Sequence, residues 1–190
     1  MPTRSSLLVE ADAPSHIVYP CADESLIADA VGIFAASGIQ KGDAVVLVTT
    51  DSRRKTIESR LEAEAFDIRK LQQSGQLLFL DAAALLFTFI ADGLPDAQLF
   101  KKRLLEVIES AGRNPVNGEP RKIRIFGEMV SLLYTGGNVP AAARLEEFWE
   151  ELVSAHSVSL FCAYSLKLAS DRLPQALLDI HSHDLSSSLH

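Results

Sequence analysis

Apolar positions along the chain form short continuous runs and longer runs with helical spacing. The short runs at residues 16–19 and 44–49 have the composition of buried strands. Between them, apolar residues recur every three or four positions, which predicts a helix that begins after Asp23 and ends at Gly38. The pattern therefore predicts a strand, a loop, a helix and a second strand near the start of the chain.

The same alternation continues along the rest of the chain. Residues 77–80 are predicted to form a strand buried on both faces, and further strands are predicted at residues 122–126 and 158–164. Alternating strands and helices are typical of an α/β fold, here three αβα layers around a mostly parallel central sheet. The predicted helices start near Ser52, Asp81, Asp96, Gly127, Pro140 and Pro174.

The chain is interpreted as one domain with short flanking segments. Residues 1–15 are predicted to be an N-terminal extension, residues 16–168 the domain, and residues 169–190 a tail with a short helix. Residues 113–120, RNPVNGEP, consist largely of turn-forming residues and are predicted to be an exposed loop.

The loop after the first strand lacks the residues that hold a phosphate. A phosphate loop needs glycines, a lysine and a hydroxyl next to the metal, whereas residues 19–25, YPCADES, contain no glycine, no lysine and two acids. Asp23 is predicted to be the N-cap, so it would occupy the free N–H groups itself. Each acid would also repel a nucleotide, by about 1 to 4 kcal/mol per charge pair at about 4 Å.

Composition and charge narrow the classes of function. Hydrophobic residues make up 47% of the chain and charged residues 23%, which is typical of a globular protein. The net charge of −7 argues against binding to nucleic acid or to an anionic membrane. Short basic runs, such as Arg53-Arg54-Lys55, are interpreted as solvated faces. No segment resembles a signal peptide or a membrane span, and two cysteines form no disulfide framework, so a cytoplasmic location is expected.

Five segments in order resemble a known sensory family. They are His16-x-x-Tyr19, GIFAASGIQKGDAVVLVTT, SGQLLFLDA, IRIFGEM and LFCAYSL. Together they resemble the MEDS domain, a sensory module of methanogens, methylotrophs and a dichloromethane-responsive regulator. That family is in turn similar to the KaiC and RecA class of ATPases, as a degenerate relative. The resemblance implies a P-loop NTPase-like fold without a functional phosphate loop.

The resemblance also implies a role and partners. It implies sensing or regulation, often beside a histidine kinase or a transcription regulator, with small hydrocarbon derivatives as proposed ligands. No kinase or DNA-binding domain follows the sensory part, so the chain is interpreted as an excised domain or a stand-alone partner. A homodimer is favoured, and no cofactor is predicted.

Candidate ligand-binding residues follow from the RecA-like topology, in which the ligand lies across the carboxyl ends of the parallel strands. Glu128 is the strongest candidate, because Gly127 lets the backbone approach a ligand closely; the alternative is an acid favoured by the helix dipole. His16 matches an early histidine of the family and is interpreted either as a ligand contact or as a hydrogen-bonded structural residue. The other candidates are Tyr19, Cys21, Asp23, Thr49, Asp51, Asp81 and Tyr164.

The histidines and cysteines are also considered as metal ligands and, for the cysteines, as reactive thiols. His181 and His183, with His16, Cys21 or Cys162, could supply metal ligands, but no pair has the close spacing of a zinc site, so no metal is predicted. The two tail histidines are predicted to be exposed. Cys162 is predicted to be a buried, unreactive thiol, whereas Cys21 precedes a helix and could sense redox state.

Three functions remain open on the sequence. The leading hypothesis is a non-catalytic sensory domain that binds a small ligand or a partner protein. The alternative is a KaiC-like nucleotide switch or ATPase with an atypical loop. A third hypothesis is an interaction module whose tail, residues 173–180, docks onto a kinase.

Overall fold

The computed structural model describes residues 4–113 and 118–185 of the chain. Its main sheet has six strands, and every pairing within it is parallel, which confirms the predicted α/β architecture. A separate antiparallel hairpin consists of β4, Ile90–Ala91, and β5, Leu94–Pro95. The six strands are β1 Ser15–Cys21, β2 Ala44–Thr49, β3 Leu77–Asp81, β6 Ile123–Gly127, β7 Ser159–Ser165 and β8 His183–Asp184. They are arranged in the order β3-β2-β6-β7-β1-β8.

Helices cover both faces of this sheet, which gives the three predicted layers. One face is covered by α1 Arg4–Glu10, α2 Glu24–Lys41, α3 Asp51–Ala63 and α4 Ile68–Gln73. The other face is covered by α5 Ala82–Phe87, α6 Ala97–Gly112, α7 Met129–Thr135, α8 Val139–His156 and α9 Gln175–Leu178.

The central strand β2 contributes side chains to the hydrophobic cores on both faces of the sheet. All six of its residues are buried, and alternate side chains face opposite sides of the sheet. Val46 and Val48 pack with α6 and α8, while Val45 and Leu47 pack with α2 and α3. A continuous apolar run is therefore the expected sequence for this position.

The strand ends define the part of the fold where a ligand could bind. The helix that follows β1 lies on one face of the sheet, whereas the helix that follows the neighbouring β7 lies on the other. Chain segments thus leave this pair of strands in opposite directions, which opens a crevice at their carboxyl ends. Cys21 and Ser165 are opposite each other at this edge.

Helix α2 is longer than predicted. It continues past Gly38 to Lys41, and Gly42, with φ 83°, is the left-handed C-cap. Gly38 has a packing role instead, because a Cβ atom there would lie 2.7 Å from Cδ of Arg124 and 2.9 Å from Cγ2 of Val45. The prediction failed because a helix-ending glycine and a close-packing glycine look the same in sequence.

Three further predictions need correction. Strand β3 is an edge strand in which only Leu77 is buried, so the prediction of burial on both faces was wrong. Helix α4 was missed, although Asp67 caps it by accepting from the backbone N–H of Lys70. The cap of α3 is Thr50 rather than Ser52. In the predicted loop at residues 113–120, residues 114–117 lie outside the described chain.

Both flanking segments contact the domain. Leu8 of α1 is buried in the same core as α2, and β8 extends the sheet beside β1. Among the residues that the structure describes, none of the helices has the length and hydropathy needed to cross a membrane.

Candidate functional site

A cavity of about 480 Å³ opens at the carboxyl ends of the central strands. We call it the strand-end cleft. It is lined by the segments after β1, β2 and β6 and by the last residue of β7, and most of the lining residues have polar or charged side chains. The residues that matter below are Glu24, Thr50, Ser52, Arg53, Glu128 and Ser165.

Glu128 is the buried centre of the strand-end cleft. One oxygen of its carboxylate accepts hydrogen bonds from the hydroxyl of Thr49 and from the backbone N–H of Thr50, both at 2.7 Å. The other oxygen accepts from Nε of Arg53 at 3.0 Å. The residue is only 5% exposed, and although it is the N-cap residue of α7, its side chain makes no capping hydrogen bond to that helix. Its carboxylate thus ties β6 to β2 and α3 rather than satisfying α7.

Arg53 is the cation of the strand-end cleft and was misjudged from the sequence. Its guanidinium pairs with Glu128 and, through Nη2, with Glu24 and the hydroxyl of Ser165. Nη1 is buried and makes no hydrogen bond to any described residue. The prediction that this basic run is a solvated face holds for Lys55, which is 72% exposed, but is wrong for Arg53.

The start of α2 is closed to anions by the protein itself. The Asp23 carboxylate accepts from the backbone N–H of Ser25 at 2.8 Å and of Leu26 at 3.3 Å, which confirms the predicted N-cap. These N–H groups hold the pKa of the Asp23 carboxyl below its usual value. A phosphate would have to displace this side chain to reach the N–H groups.

The remaining strand-end candidates lie outside the cavity wall. Tyr19 is buried in the core beside α2, and Cys21 is half-buried. Asp51 is exposed and pairs with Lys55, while Asp81 caps α5 by accepting from the backbone N–H of Ala84.

His16 and Tyr164 belong to a second group of residues, enclosed between the sheet and α8. The Tyr164 hydroxyl donates to Oε1 of Glu146 at 2.6 Å, and Nε2 of His16 lies 3.2 Å from Oε2 of the same carboxylate. Sγ of Cys162 lies 3.6 Å from Nε2 of His16, and Nε2 of His181 lies 3.3 Å from Oε1 of Glu146. We call His16, Glu146, Cys162 and His181 the His–Glu–Cys cluster.

The outer nitrogen of each histidine is fixed by an acceptor. Nδ1 of His16 lies 3.0 Å from Oε2 of Glu150, and Nδ1 of His181 lies 2.8 Å from the carbonyl of Leu177. An ionised carboxylate and a carbonyl can only accept, so both Nδ1 atoms carry a proton. Both Nε2 atoms therefore point inward.

The charges of the His–Glu–Cys cluster are strongly coupled. Burial alone would raise the pKa of Glu146, but His181 and His16 outweigh burial and hold it well below its usual value. Burial lowers the pKa of His181, and the Glu146 charge more than reverses that shift. Burial, then Glu146, raises the pKa of the Cys162 thiol and of the Tyr164 hydroxyl.

Three members of the cluster, His16, Cys162 and His181, were considered as possible metal ligands from the sequence, but Glu146 was missed and His181 was misplaced. The His181 side chain is fully buried, so its predicted exposure was wrong, whereas His183 is exposed as predicted. The missed signal is Glu146, a charged residue on the apolar face of α8 between Leu145 and Trp149. A carboxylate at such a position needs buried partners.

The chain was compared with known proteins by its structure and by its sequence. A KaiC-like protein from the hyperthermophilic archaeon Pyrococcus horikoshii OT3 has a similar structure, with a TM-score of 0.58 and 11% sequence identity, over 89% of this chain and 70% of that one. The chain thus shares the αβα fold of a KaiC-like protein. No curated protein matches the chain significantly. The sequence model of the MEDS family, the methanogen/methylotroph, DcmR sensory domain, matches residues 15–182, so the chain belongs to that family.

Proposed function

We propose that the chain is a non-catalytic sensory domain that binds a small polar molecule in the strand-end cleft. Membership of a sensory family supports the role, and the position of the cleft at the crevice between β1 and β7 supports the site. The observation that carries the proposal is the buried ion pair of Arg53 with Glu128, which holds a polar wall open beside a cavity.

The charges of the cleft determine the class of ligand. Glu24 and Glu128 contribute two negative charges and Arg53 one positive charge, so the wall is negative overall. Hydroxyls of Thr50, Ser52 and other residues line the rest of it. Such a site favours a neutral or cationic molecule with a hydrogen-bonding group, such as a short alcohol, a diol or an amine. A hydrocarbon derivative of this kind fits better than a nucleotide.

The KaiC-like fold makes a nucleotide the natural competing ligand. Asp23 fills the anion-binding N–H groups of α2, and the acids of the cleft would repel a triphosphate. The chain keeps the layout of a nucleotide-binding fold while its own carboxylates occupy or face the phosphate position.

A ligand panel tests this function. Thermal shift and calorimetry with short alcohols, diols, methylamines and magnesium ATP should find binding among the neutral or cationic compounds and none for ATP. Ser52→Ala and Ser165→Ala should weaken that binding, whereas Ser59→Ala, which changes an exposed serine on the same helix as Ser52, should not. Binding or hydrolysis of ATP, or a panel without any ligand, would reject the proposal.

A second protein is proposed to receive the signal of the domain. We place a histidine kinase or a transcription regulator in that role, in the cytoplasm, where the two free thiols stay reduced. Light scattering on the purified chain, with and without ligand, tests the expected homodimer.

A further inference from the structure

We propose that His16, Glu146, Cys162 and His181 form a binding site for a divalent transition-metal ion of the Zn²⁺ type. One nitrogen, sulfur or oxygen atom from each residue can be chosen so that all four lie within 4.8 Å of one another. The site lies between the sheet and α8, and it is separate from the strand-end cleft. The inference therefore does not depend on the proposed function.

The spacings of three of the four ligand atoms match those of a tetrahedral metal site. With metal–nitrogen and metal–oxygen bonds near 2.0–2.1 Å and metal–sulfur bonds near 2.3 Å, neighbouring ligand atoms are separated by about 3.3 Å, or about 3.6 Å to sulfur. Nε2 of His16 lies 3.2 Å from Oε2 of Glu146, and Sγ of Cys162 lies 3.6 Å from each of those atoms. The fourth residue, His181, has its Nε2 atom 3.3 Å from Oε1, the other oxygen of the same carboxylate.

The outer contacts of the two histidines are those of metal ligands. Metal-binding histidines usually donate their other ring nitrogen to a carboxylate or a backbone carbonyl, which orients the ring. Here Glu150 accepts from His16 and the Leu177 carbonyl accepts from His181. The hydroxyl of Tyr164 likewise positions the Glu146 carboxylate.

The Nε2 atoms of the two histidines and the carboxylate oxygens of Glu146 face one another, and they need a positive charge between them. In a neutral histidine whose Nδ1 carries the proton, Nε2 presents a lone pair, and here each Nε2 faces a carboxylate oxygen. Nε2 of His181 is buried and makes no hydrogen bond to a described residue, although it lies 3.3 Å from Glu146. A divalent ion with a thiolate, a carboxylate and two neutral imidazoles has no net charge, which lowers the cost of burying the group.

The donor set identifies the class of metal. Two imidazoles and a thiolate suit Zn²⁺, Co²⁺ or Cu²⁺, whereas Mg²⁺ and Ca²⁺ prefer oxygen ligands. Bound metal would also join the segment after α9 to the sheet, because His181 precedes β8.

Metal titration of the tag-free chain, after treatment with a chelator, tests the site. We expect one Zn²⁺ or Co²⁺ per chain, no competition from Mg²⁺, and a thiolate-to-cobalt charge-transfer band. Amide exchange at Ser182 and Leu185, which donate to His16 and Val18 of β1, should slow when metal binds.

Matched variants locate the metal. Cys162→Ala and His181→Ala should lower the affinity at least tenfold, and Glu150→Gln should lower it roughly 10- to 100-fold. Cys21→Ala and His183→Ala, which change the other cysteine and the exposed neighbouring histidine, should leave it unchanged.

Two results would overturn the proposal. One is the absence of Zn²⁺ or Co²⁺ binding at micromolar free metal, which would leave a protonated histidine paired with Glu146 as the account of the cluster. The other is undiminished binding in Cys162→Ala and His181→Ala. If these variants fail to fold, Cys21→Ala still tests the site. Cys162 is then the one remaining thiol, so the thiolate-to-cobalt band must come from it, and loss of the band would contradict the proposal.

Discussion

The strand-end cleft and the His–Glu–Cys cluster each contain a buried glutamate, but the two carboxylates are neutralised differently. Glu128 is paired with a permanent cation, Arg53, and receives a backbone N–H group. Glu146 is surrounded by two histidines, a thiol and a phenol, none of which carries a permanent positive charge. The cleft therefore has a fixed charge pattern, whereas the cluster has no permanent cation to balance its carboxylate.

This difference assigns different roles to the two regions. A fixed ion pair suits a recognition surface, because its shape and charge are present before the ligand arrives. A group of convergent donors suits a site that gains its stability from an added ion. The comparison can be tested by removing the central group of each region.

Replacement of Glu146 should have the largest effect on stability. Glu146→Ala leaves the Tyr164 hydroxyl and the His16 and His181 rings without their common buried partner. We expect the free energy of unfolding to fall by about 3–5 kcal/mol in denaturant titrations. Glu147→Ala, an exposed neighbour on α8, is the control and should change it by less than about 0.5 kcal/mol. A loss for Glu146→Ala as small as that of the control would contradict the central role of this carboxylate.

Replacement of Arg53 should have a smaller but clear effect. Arg53→Met keeps most of the side-chain volume but leaves the buried Glu128 with only its threonine donors. We expect the free energy of unfolding to fall by about 2–3 kcal/mol, since a hydrogen bond to a charged group is lost. Lys55→Met on the same helix breaks an exposed pair and should cost less than about 1 kcal/mol. If both variants lost the same free energy of unfolding, the buried Arg53 would contribute no more to stability than the exposed Lys55.

Replacement of Asp81, which lies outside both regions, should have the smallest effect on stability. Asp81→Ala removes a helix cap and should lower the free energy of unfolding by about 1 kcal/mol, whereas Asp81→Asn should retain most of the stability. Neither change should alter ligand binding in the cleft or metal binding in the cluster. Loss of either by Asp81→Asn would show that this carboxylate has a role beyond capping.

The sequence by itself determined the three αβα layers and the lack of phosphate-binding residues in the loop after β1. Alternation of strand and helix periods predicted the parallel sheet, because a strand buried on both faces and a covering helix each need a distinct apolar pattern. The position of Asp23 just before the helix predicted that its carboxylate occupies the free N–H groups, because capping is a local interaction. Glu128 and Thr49 were identified as candidates because both lie at the carboxyl ends of strands.

Only the tertiary structure decided which of these residues meet. Arg53 resembled a surface residue in sequence because burial of a charge depends on distant partners, here Glu128 and Glu24. His16 and His181 are 165 positions apart in the chain, yet their rings lie 4.0 Å apart between centroids. Sequence spacing predicts a metal site only when the ligands come from one local segment. Here the pairing of β1 with β7 and β8 and the packing of α8 bring them together, and those long-range contacts are not encoded in any local pattern.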